Sequence, residues 1–102
     1  MEIIWTDFAI ENLKIIFEFY AAKANKKVAH NIRKQILNTT KQLVNHPNSG
    51  QKELHLEKLE RNYRYALSGN YKIIYKVENS QIIISDIFDA RQNPDKMVDE
   101  NR

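Results

Sequence analysis

The stretch RNYRYALSGNYKIIYKVENSQIIISDIFDAR, residues 61–91, organises the second half of this 102-residue chain. It contains three extended runs, which are separated by two short turn sequences. Each run is rich in Tyr, Ile, Val and Phe, which fit a pleated and half-buried surface. We therefore predict three strands of an antiparallel sheet, over residues 62–68, 71–77 and 81–88.

The turn between the first two strands determines how their faces match. A two-residue Gly69-Asn70 turn would place Ser68 opposite Tyr71, and thus a polar face beside an apolar one. A three-residue loop that includes Ser68 pairs Leu67 with Tyr71 instead, and its Gly and Asn tolerate the left-handed conformation that the loop needs. Because a one-residue slip would turn every side chain to the other face, we predict the three-residue loop.

The predicted register gives the sheet two different faces. Tyr63 lies opposite Tyr75 on one face, together with Tyr65. Arg64 lies beside Lys76 on the other face. Like charges directly opposite each other cost stability, so we expect a negatively charged group to visit that face.

Two amphipathic helices precede the sheet, because apolar residues recur there every three or four positions. Thr6 is the predicted N-cap of a first helix over residues 7–23, and Asn25 is the predicted N-cap of a second. The second helix ends at His46, because Pro47 disfavours helical geometry in the residue before it. With almost no linker between them, the helices form an antiparallel hairpin that buries its apolar stripes on the tyrosine-rich face.

This order of elements predicts a two-layer α+β domain. An N-terminal strand over residues 2–5 precedes the antiparallel helical hairpin, and a three- to four-stranded antiparallel sheet packs on the helices. Residues 51–60 form either a short edge strand or an irregular approach to the sheet. The run at 82–84 is apolar on both faces and marks a central strand. No linker or repeat divides the chain, so residues 1–102 form a single domain.

Composition excludes several kinds of site. The chain has no cysteine, which removes disulfides and thiolate metal ligands and fits a cytoplasmic location. No apolar run approaches the ~20 residues that are needed to span a bilayer. His, Asp and Glu do not occur at metal-ligand spacing, and we expect no metal and no cofactor.

The positive charge is unevenly distributed along the chain. The net charge is +3, but residues 19–52 contain seven basic residues and no acidic one. Segregation of this kind indicates an anionic partner. A solvated helix face is the alternative, and charge alone leaves both open.

Several motifs in a fixed order make the chain resemble a known toxin family. They are Trp5 at the end of the first strand, A-x-x-x-L-x-x-I-x-x-x-Y over residues 9–20, HPNSG at 46–50, YRY at 63–65, YKIIY at 71–75 and FDARQNP at 88–94. On this ordered set the chain is identified as a member of the RelE/ParE superfamily of toxins from bacterial type II toxin–antitoxin systems. The resemblance covers residues 1–97.

The resemblance implies a curved antiparallel sheet that cradles the helical hairpin. It also implies a cognate antitoxin, which wraps the toxin in an inactive hetero-oligomer. Toxins of this superfamily either cleave messenger RNA on the ribosome or poison DNA gyrase. The implied partners are therefore the antitoxin and either gyrase or ribosome-bound mRNA, with no membrane partner.

The resemblance implies candidate site residues as well. Arg64, Lys72 and Arg91 match basic positions of the ribonuclease members, in which cations stabilise the phosphorane of RNA cleavage. Lys72 stands where the family usually has Arg, which removes the bidentate fork suited to phosphate. Cleavage also needs a base and an acid, yet Met97 stands about where a catalytic Tyr is expected.

His55 and Glu57 are the remaining acid–base candidates, as a displaced pair near the sheet; an ordinary surface histidine is the alternative for His55. Each cation has a structural alternative too, a salt bridge within the fold: Arg64 with Glu78 or Asp86, Lys72 with Asp86, and Arg91 with Asp89 or Asp95. The pairing of Lys72 depends on the register of the Glu78-Asn79-Ser80 turn, which the sequence leaves open.

Three functions are consistent with these residues. The first is a ParE-like toxin that poisons a protein target, gyrase by family precedent, and we favour it because positions 72 and 97 lack the side chains of a ribonuclease. The second is a RelE-like ribosome-dependent mRNA endoribonuclease, which would be a metal-independent enzyme. The third is a degenerate member that acts only as an antitoxin-binding protein. Whether the chain is an enzyme stays open.

Overall fold

A computed structural model describes residues 1–56 and 62–98 of the chain. Within these residues, one face of a five-stranded sheet packs on a hairpin of two helices. The predicted α+β class and order of elements are confirmed. The elements are β1 (Glu2–Trp5), α1 (Asp7–Lys23), α2 (Lys26–Gln42), β2 (Gln51–Lys52), a first 3₁₀ turn (Leu54–Leu56), β3 (Arg64–Ser68), β4 (Tyr71–Glu78), β5 (Gln81–Asp89) and a second 3₁₀ turn (Pro94–Val98).

Both helices begin at the predicted N-caps. The Thr6 hydroxyl accepts a hydrogen bond from the Ala9 N–H at 3.2 Å, and the Asn25 side-chain oxygen accepts one from Val28 at 2.9 Å. These caps satisfy N–H groups that have no partner within the helix. The predicted bounds of α1 are confirmed. Neither helix is long and apolar enough to cross a membrane.

The predicted end of α2 at His46 is wrong, because the helix ends at Gln42. The N–H groups of the next three residues, 43–45, donate to carbonyls three positions earlier. The chain therefore tightens into turns before Pro47, and the break comes from hydrogen bonding within the last turn as well as from the proline.

The sheet is mixed, and β5 lies inside it. The strand order is β1-β5-β4-β3-β2, with β1 parallel to β5 and the other pairs antiparallel. The antiparallel sheet that we predicted is thus extended by one parallel strand, β1. The helical hairpin follows β1 in the chain and connects it to the antiparallel strands. Thr6 continues this pairing, because its backbone N–H donates to the Ile84 carbonyl at 3.1 Å. The central position predicted for residues 82–84 is confirmed.

The predicted three-residue loop between β3 and β4 is wrong. The strands are joined by the two residues Gly69 and Asn70, and Ser68 lies opposite Tyr71. Gly69 has φ +57°, the left-handed conformation that glycine adopts without steric cost. The prediction assumed that only one face of the sheet is buried. Both faces are covered, so apolar alternation on one face does not select the register.

The observed register divides the tyrosines between two clusters. Tyr75 is fully buried in the helix-facing core, together with Tyr71. Tyr63 and Tyr65, which were predicted to join them, pack instead against an outer cluster on the opposite face of the sheet. That cluster consists of buried Leu56, Ile74 and Phe88, with Tyr63, Tyr65 and Met97 packed against it.

The open register of the turn between β4 and β5 is resolved by Asn79 and Ser80. Both have positive φ, 52° and 61°, as a two-residue type I′ turn requires. The register then shifts at Ile74/Tyr75, so Asp86 lies opposite Ile74 and not beside Lys72. Asp86 accepts a hydrogen bond from the Asn12 amide at 2.9 Å.

The helix-facing core should respond strongly to loss of side-chain volume on β4. Ile73 is fully buried in this core. Its replacement by alanine should reduce the free energy of unfolding by about 2–5 kcal/mol, because the cavity cannot close completely. Leu67→Ala is the control, since Leu67 lies in the same hairpin and is 58% exposed. Urea denaturation of the two variants measures both values, and a loss below about 1 kcal/mol for Ile73→Ala would contradict the assigned face.

Candidate functional site

The candidate cation Lys72 is held by a buried carboxylate. Its Nζ lies 2.9 Å from Glu53 Oε2, and Glu53 is only 3% exposed. The ammonium also lies 4.3 Å from the centroid of the Tyr65 ring. The negative group that we expected on this face is therefore Glu53, which comes from within the chain.

Glu53 is also bound by His55, which lies two residues later in the chain. The backbone N–H of His55 donates to Glu53 Oε1 at 3.3 Å, and His55 Nδ1 lies 3.1 Å from the same oxygen. Burial would raise the pKa of Glu53, but the hydrogen bonds from Lys72 and His55 outweigh it and lower the pKa below its ordinary value. The carboxylate is therefore ionised at neutral pH and fixes the first 3₁₀ turn to the outer face.

Arg91 forms a bidentate salt bridge with Asp89. Its Nε and Nη2 lie 2.9 and 2.8 Å from the two carboxylate oxygens, and its backbone N–H donates to Asp89 at 2.9 Å. The hydrogen bonds from Arg91 lower the pKa of Asp89. This confirms the pairing with Asp89 that we gave as the structural alternative. The Arg91 side chain is still 58% exposed.

Arg64 contributes to the loop that precedes β2. Its Nη1 donates to the Gly50 carbonyl at 2.8 Å, and not to the acids that were considered across the sheet. The buried Tyr75 hydroxyl holds the same loop, because it donates to the Pro47 carbonyl and accepts from the Gly50 N–H, both at 2.9 Å. A Cβ at position 50 would lie 2.7 Å from the Tyr65 carbonyl oxygen, so only glycine fits there.

The structure does not bring the three candidate cations to one site. Arg64 lies opposite Tyr75, so its side chain starts from the helix-facing side of the sheet, whereas Lys72 alternates with Tyr71 and Ile73 and lies on the outer face. Arg91 follows β5 and pairs with Asp89 beside α1. The predicted placement of Arg64 beside Lys76 is wrong for the same reason of register.

The acid–base candidates change partners in the structure. The carboxylate next to His55 is Glu53, while Glu57 lies outside the described residues. The His55 side chain is 45% exposed. Met97 packs against the outer cluster, so the position at which a catalytic Tyr was expected serves to cover the sheet.

A groove of about 420 Å³ lies between α1 and the paired ends of β4 and β5. It combines apolar walls with the Asp89–Arg91 ion pair and two side-chain amides. Burial raises the pKa of Tyr71, whose hydroxyl donates to Tyr20 at 3.3 Å. The residues that line the groove are Asn12, Ile15, Ile16, Phe19, Tyr71, Ile87, Asp89, Arg91 and Gln92.

The groove continues onto an apolar stripe of α1. Phe8, Ile15 and Phe19 are all large and exposed, and with Asn12 they repeat at spacings of four, three and four on one side of the helix. The stripe of α1 that the sequence assigned to the core runs through Ala9, Leu13, Ile16 and Tyr20, and this second stripe was given no role. The sequence does contain a signal for this surface, because a helix that buries only one face would not be expected to carry a second apolar stripe.

Comparison with solved structures supports the same fold. A chain in the structure "Chromosomal ParDE TA system from P. aeruginosa" matches with a TM-score of 0.72 and 20% sequence identity, over 85% of this chain and 92% of that chain. A search of curated proteins found no match.

The family profile that matches is "ParE toxin of type II toxin-antitoxin system, parDE", over residues 3–94. This match spans most of the chain, which therefore belongs to the ParE toxin family. The predicted RelE/ParE membership is confirmed. The protein is the toxin component of a type II toxin–antitoxin system, of the ParE-like kind.

The buried ion pair of Lys72 should contribute more to stability than an exposed one on the same strand. Glu53→Gln removes the counter-ion of Lys72, and breaking a buried pair costs about 3 kcal/mol. Glu78→Gln is the matched control: Glu78 pairs with Lys76 at 3.2 Å, but its side chain is 50% exposed, so the loss should stay below about 1 kcal/mol.

The loss caused by Glu53→Gln should also depend on pH. The folded-state pKa of Glu53 is lowered, so its contribution is present above the ordinary value of 4.5 and disappears as the pH falls through the folded-state pKa. Urea denaturation between neutral and acidic pH should therefore show a gap from the wild type that closes on acidification. A gap that is independent of pH would contradict an ionised Glu53.

Proposed function

We propose that this toxin acts by binding and poisoning a protein target, with DNA gyrase as the family precedent, and that a cognate antitoxin neutralises it. One observation carries the proposal: Lys72 lies 2.9 Å from the buried carboxylate of Glu53. In ribonuclease members the cation at this position acts on RNA, whereas in this chain it forms an ion pair within the fold. Because both proposed partners act inside the cell, we propose that the toxin acts in the cytoplasm.

The arrangement of the other candidate residues supports this proposal. Cleavage by the RNA 2′-hydroxyl needs convergent cations, a base and an acid around one phosphate. Arg64 and Lys72 lie on opposite faces of the sheet, and Arg91 is paired with Asp89 beside α1. Met97 supplies no proton and packs against the outer cluster.

One observation favours the alternative of an mRNA endoribonuclease. Glu53 binds His55 through Nδ1, which leaves Nε2 as the ring nitrogen that would act on a substrate, and Lys72 contacts the same carboxylate. A histidine oriented by a carboxylate is a common general base. This His55–Glu53 dyad would replace the predicted pair of His55 and Glu57. RNA cleavage is therefore the second outcome that the experiment on the target must distinguish.

We further propose that the antitoxin docks in the groove beside α1. The exposed apolar stripe at residues 8, 15 and 19 fits the apolar face of a partner helix, as amphipathic helices bind grooves through positions spaced by three and four. The exposed Arg91 at the groove fits an acidic side chain of the same partner. A degenerate member that only binds antitoxin would use the same groove, so toxicity and not binding separates that alternative.

Substitution of Ile15 tests the docking site. Ile15→Glu introduces a charge into the apolar groove and should weaken binding of the cognate antitoxin by about a hundredfold or more, the range of an interface hot spot. Ile10→Glu is the control, since Ile10 is equally exposed, at 51% against 53%, on the same helix but outside the groove. Isothermal titration with the purified partner measures both, and equal affinities for the two variants would contradict docking in the groove.

The target is tested by brief induction of the chain without its partner. A gyrase poison should induce the DNA-damage response and inhibit supercoiling in a purified assay, while transcripts stay intact. Co-expression with the antitoxin should abolish both effects. A chain that is harmless and leaves supercoiling unchanged would instead be a degenerate member.

The same experiment identifies a ribonuclease. Primer extension would then show codon-phased cuts in ribosome-bound transcripts. Arg64→Ala or Arg91→Ala would lower single-turnover cleavage by about a hundredfold or more, the loss typical of one electrostatic stabiliser. His55→Ala would remove the general base of this alternative and lower cleavage by a similar factor. This result would contradict the proposed protein target.

A further inference from the structure

The outward face of α2 carries a repeating pattern of lysine and asparagine. The spacing alternates between four and three residues, so the pattern stays on one side of the helix. The lysines are seven positions apart, which is about 10.5 Å along the axis. All six residues are exposed, and the last follows the end of the helix: Lys27, Asn31, Lys34, Asn38, Lys41 and Asn45. We call this set the Lys/Asn stripe.

Within the part of the chain that the structure describes, no ion pair uses the charge of the Lys/Asn stripe. None of its lysines forms a salt bridge with a residue in the described ranges, and no acidic residue occurs between positions 19 and 52. Another cation of α2, Arg33, is used by the fold: its guanidinium lies 4.7 Å from the centroid of the Phe17 ring, and its Nη2 lies 3.0 Å from His30 Nδ1.

The two helices of the hairpin expose different chemistry. The exposed large apolar side chains of the hairpin, such as Phe19, all lie on α1, and α2 has none. Cores of protein–protein interfaces are depleted in lysine and enriched in apolar and aromatic residues. Interfaces with nucleic acid are polar and positively charged, and their lysine and asparagine side chains bind phosphate oxygens. The Lys/Asn stripe has the second composition.

The form of the stripe favours duplex DNA over RNA. An α-helix fits the major groove of B-form DNA, whereas the major groove of A-form RNA is too narrow for side chains to read. Single-stranded nucleic acids are bound largely by stacking on aromatic rings, and α2 contains no Phe, Tyr or Trp. From Lys27 to Lys41 the stripe spans about 21 Å, or about six base pairs of duplex.

We propose that the Lys/Asn stripe of α2 binds the phosphate backbone of duplex DNA. Its three lysines neutralise phosphates, and its asparagines donate hydrogen bonds to neighbouring phosphate oxygens. This surface is separate from the groove beside α1, so the chain can hold DNA and a protein partner at once. The inference does not depend on which protein the toxin poisons, and a direct DNA-binding measurement tests it apart from that target.

Fluorescence anisotropy of the full chain with a labelled duplex of about 20 base pairs and arbitrary sequence tests the proposal. Three neutralised phosphates predict that the logarithm of the binding constant falls with the logarithm of salt concentration at a slope of about −2.7. Between about 50 and 200 mM salt, this slope corresponds to a loss of about 40-fold. Replacing the three lysines by glutamine should bring the slope close to zero and abolish most of the affinity.

Two further variants separate the stripe from net charge and from a solvated helix face. Lys14, Lys52 and Lys96 are exposed lysines elsewhere, and their joint replacement by glutamine removes the same charge; it should leave the slope nearly unchanged. Replacing Asn31 and Asn38 by alanine should weaken binding without changing the slope, because amides release no counterions. Circular dichroism checks that each variant keeps its helices.

Several results would overturn the proposal. These are no binding to the duplex at about 50 mM salt, equal losses in the two lysine triples, or a stripe variant that binds like the wild type. Tighter binding of polyglutamate would assign the stripe to an acidic protein, and tighter binding of single-stranded RNA would assign it to RNA. Either of these also contradicts a duplex site.

Discussion

The structure depends on the register of β3 on β4, which the two-residue Gly69–Asn70 turn sets. In this register β3 alternates between two buried faces of the sheet: Ala66 packs towards the helices, and Tyr65 packs on the outer cluster. A slip by one residue would exchange these faces along the whole strand. It would also move Arg64 to the face that carries Lys72, and RNA cleavage would require both cations on one face.

The outer face of the sheet is held in place by a buried charge, and other residues of the same chain neutralise that charge. A buried carboxylate is costly unless its oxygens are paired and hydrogen-bonded. Glu53 meets this condition through Lys72 and His55, and its own N–H donates to the Tyr63 carbonyl at 2.9 Å. The candidate cation thereby becomes a structural one, and the two surfaces that we propose for partners lie on the helical hairpin. A toxin that acts by binding a protein target, as we propose for this chain, has no need of a convergent phosphate site.

Local signals predicted much of the fold, whereas pairings between distant segments were missed. The caps Thr6 and Asn25 act within one turn of their helices, so the sequence shows them directly. The β3–β4 register was mispredicted because both faces are apolar, and the parallel partner of β1 was missed because it lies about 80 residues away. Glu53 lies in a segment without a periodic apolar pattern, so the sequence does not predict that it is buried. The salt bridge of Arg91 was foreseen because its partner is two residues away.

The register itself is the claim to test most directly, and nuclear magnetic resonance reads it without a substitution. Residues opposite each other in non-hydrogen-bonded antiparallel pairs bring their Hα atoms close together. The account predicts cross-strand Hα–Hα nuclear Overhauser effects between Tyr65 and Ile74 and between Leu67 and Lys72. Such effects between Ala66 and Lys72 and between Arg64 and Ile74, which are the non-hydrogen-bonded pairs of a three-residue loop, would contradict it and would place Arg64 and Lys72 on one face.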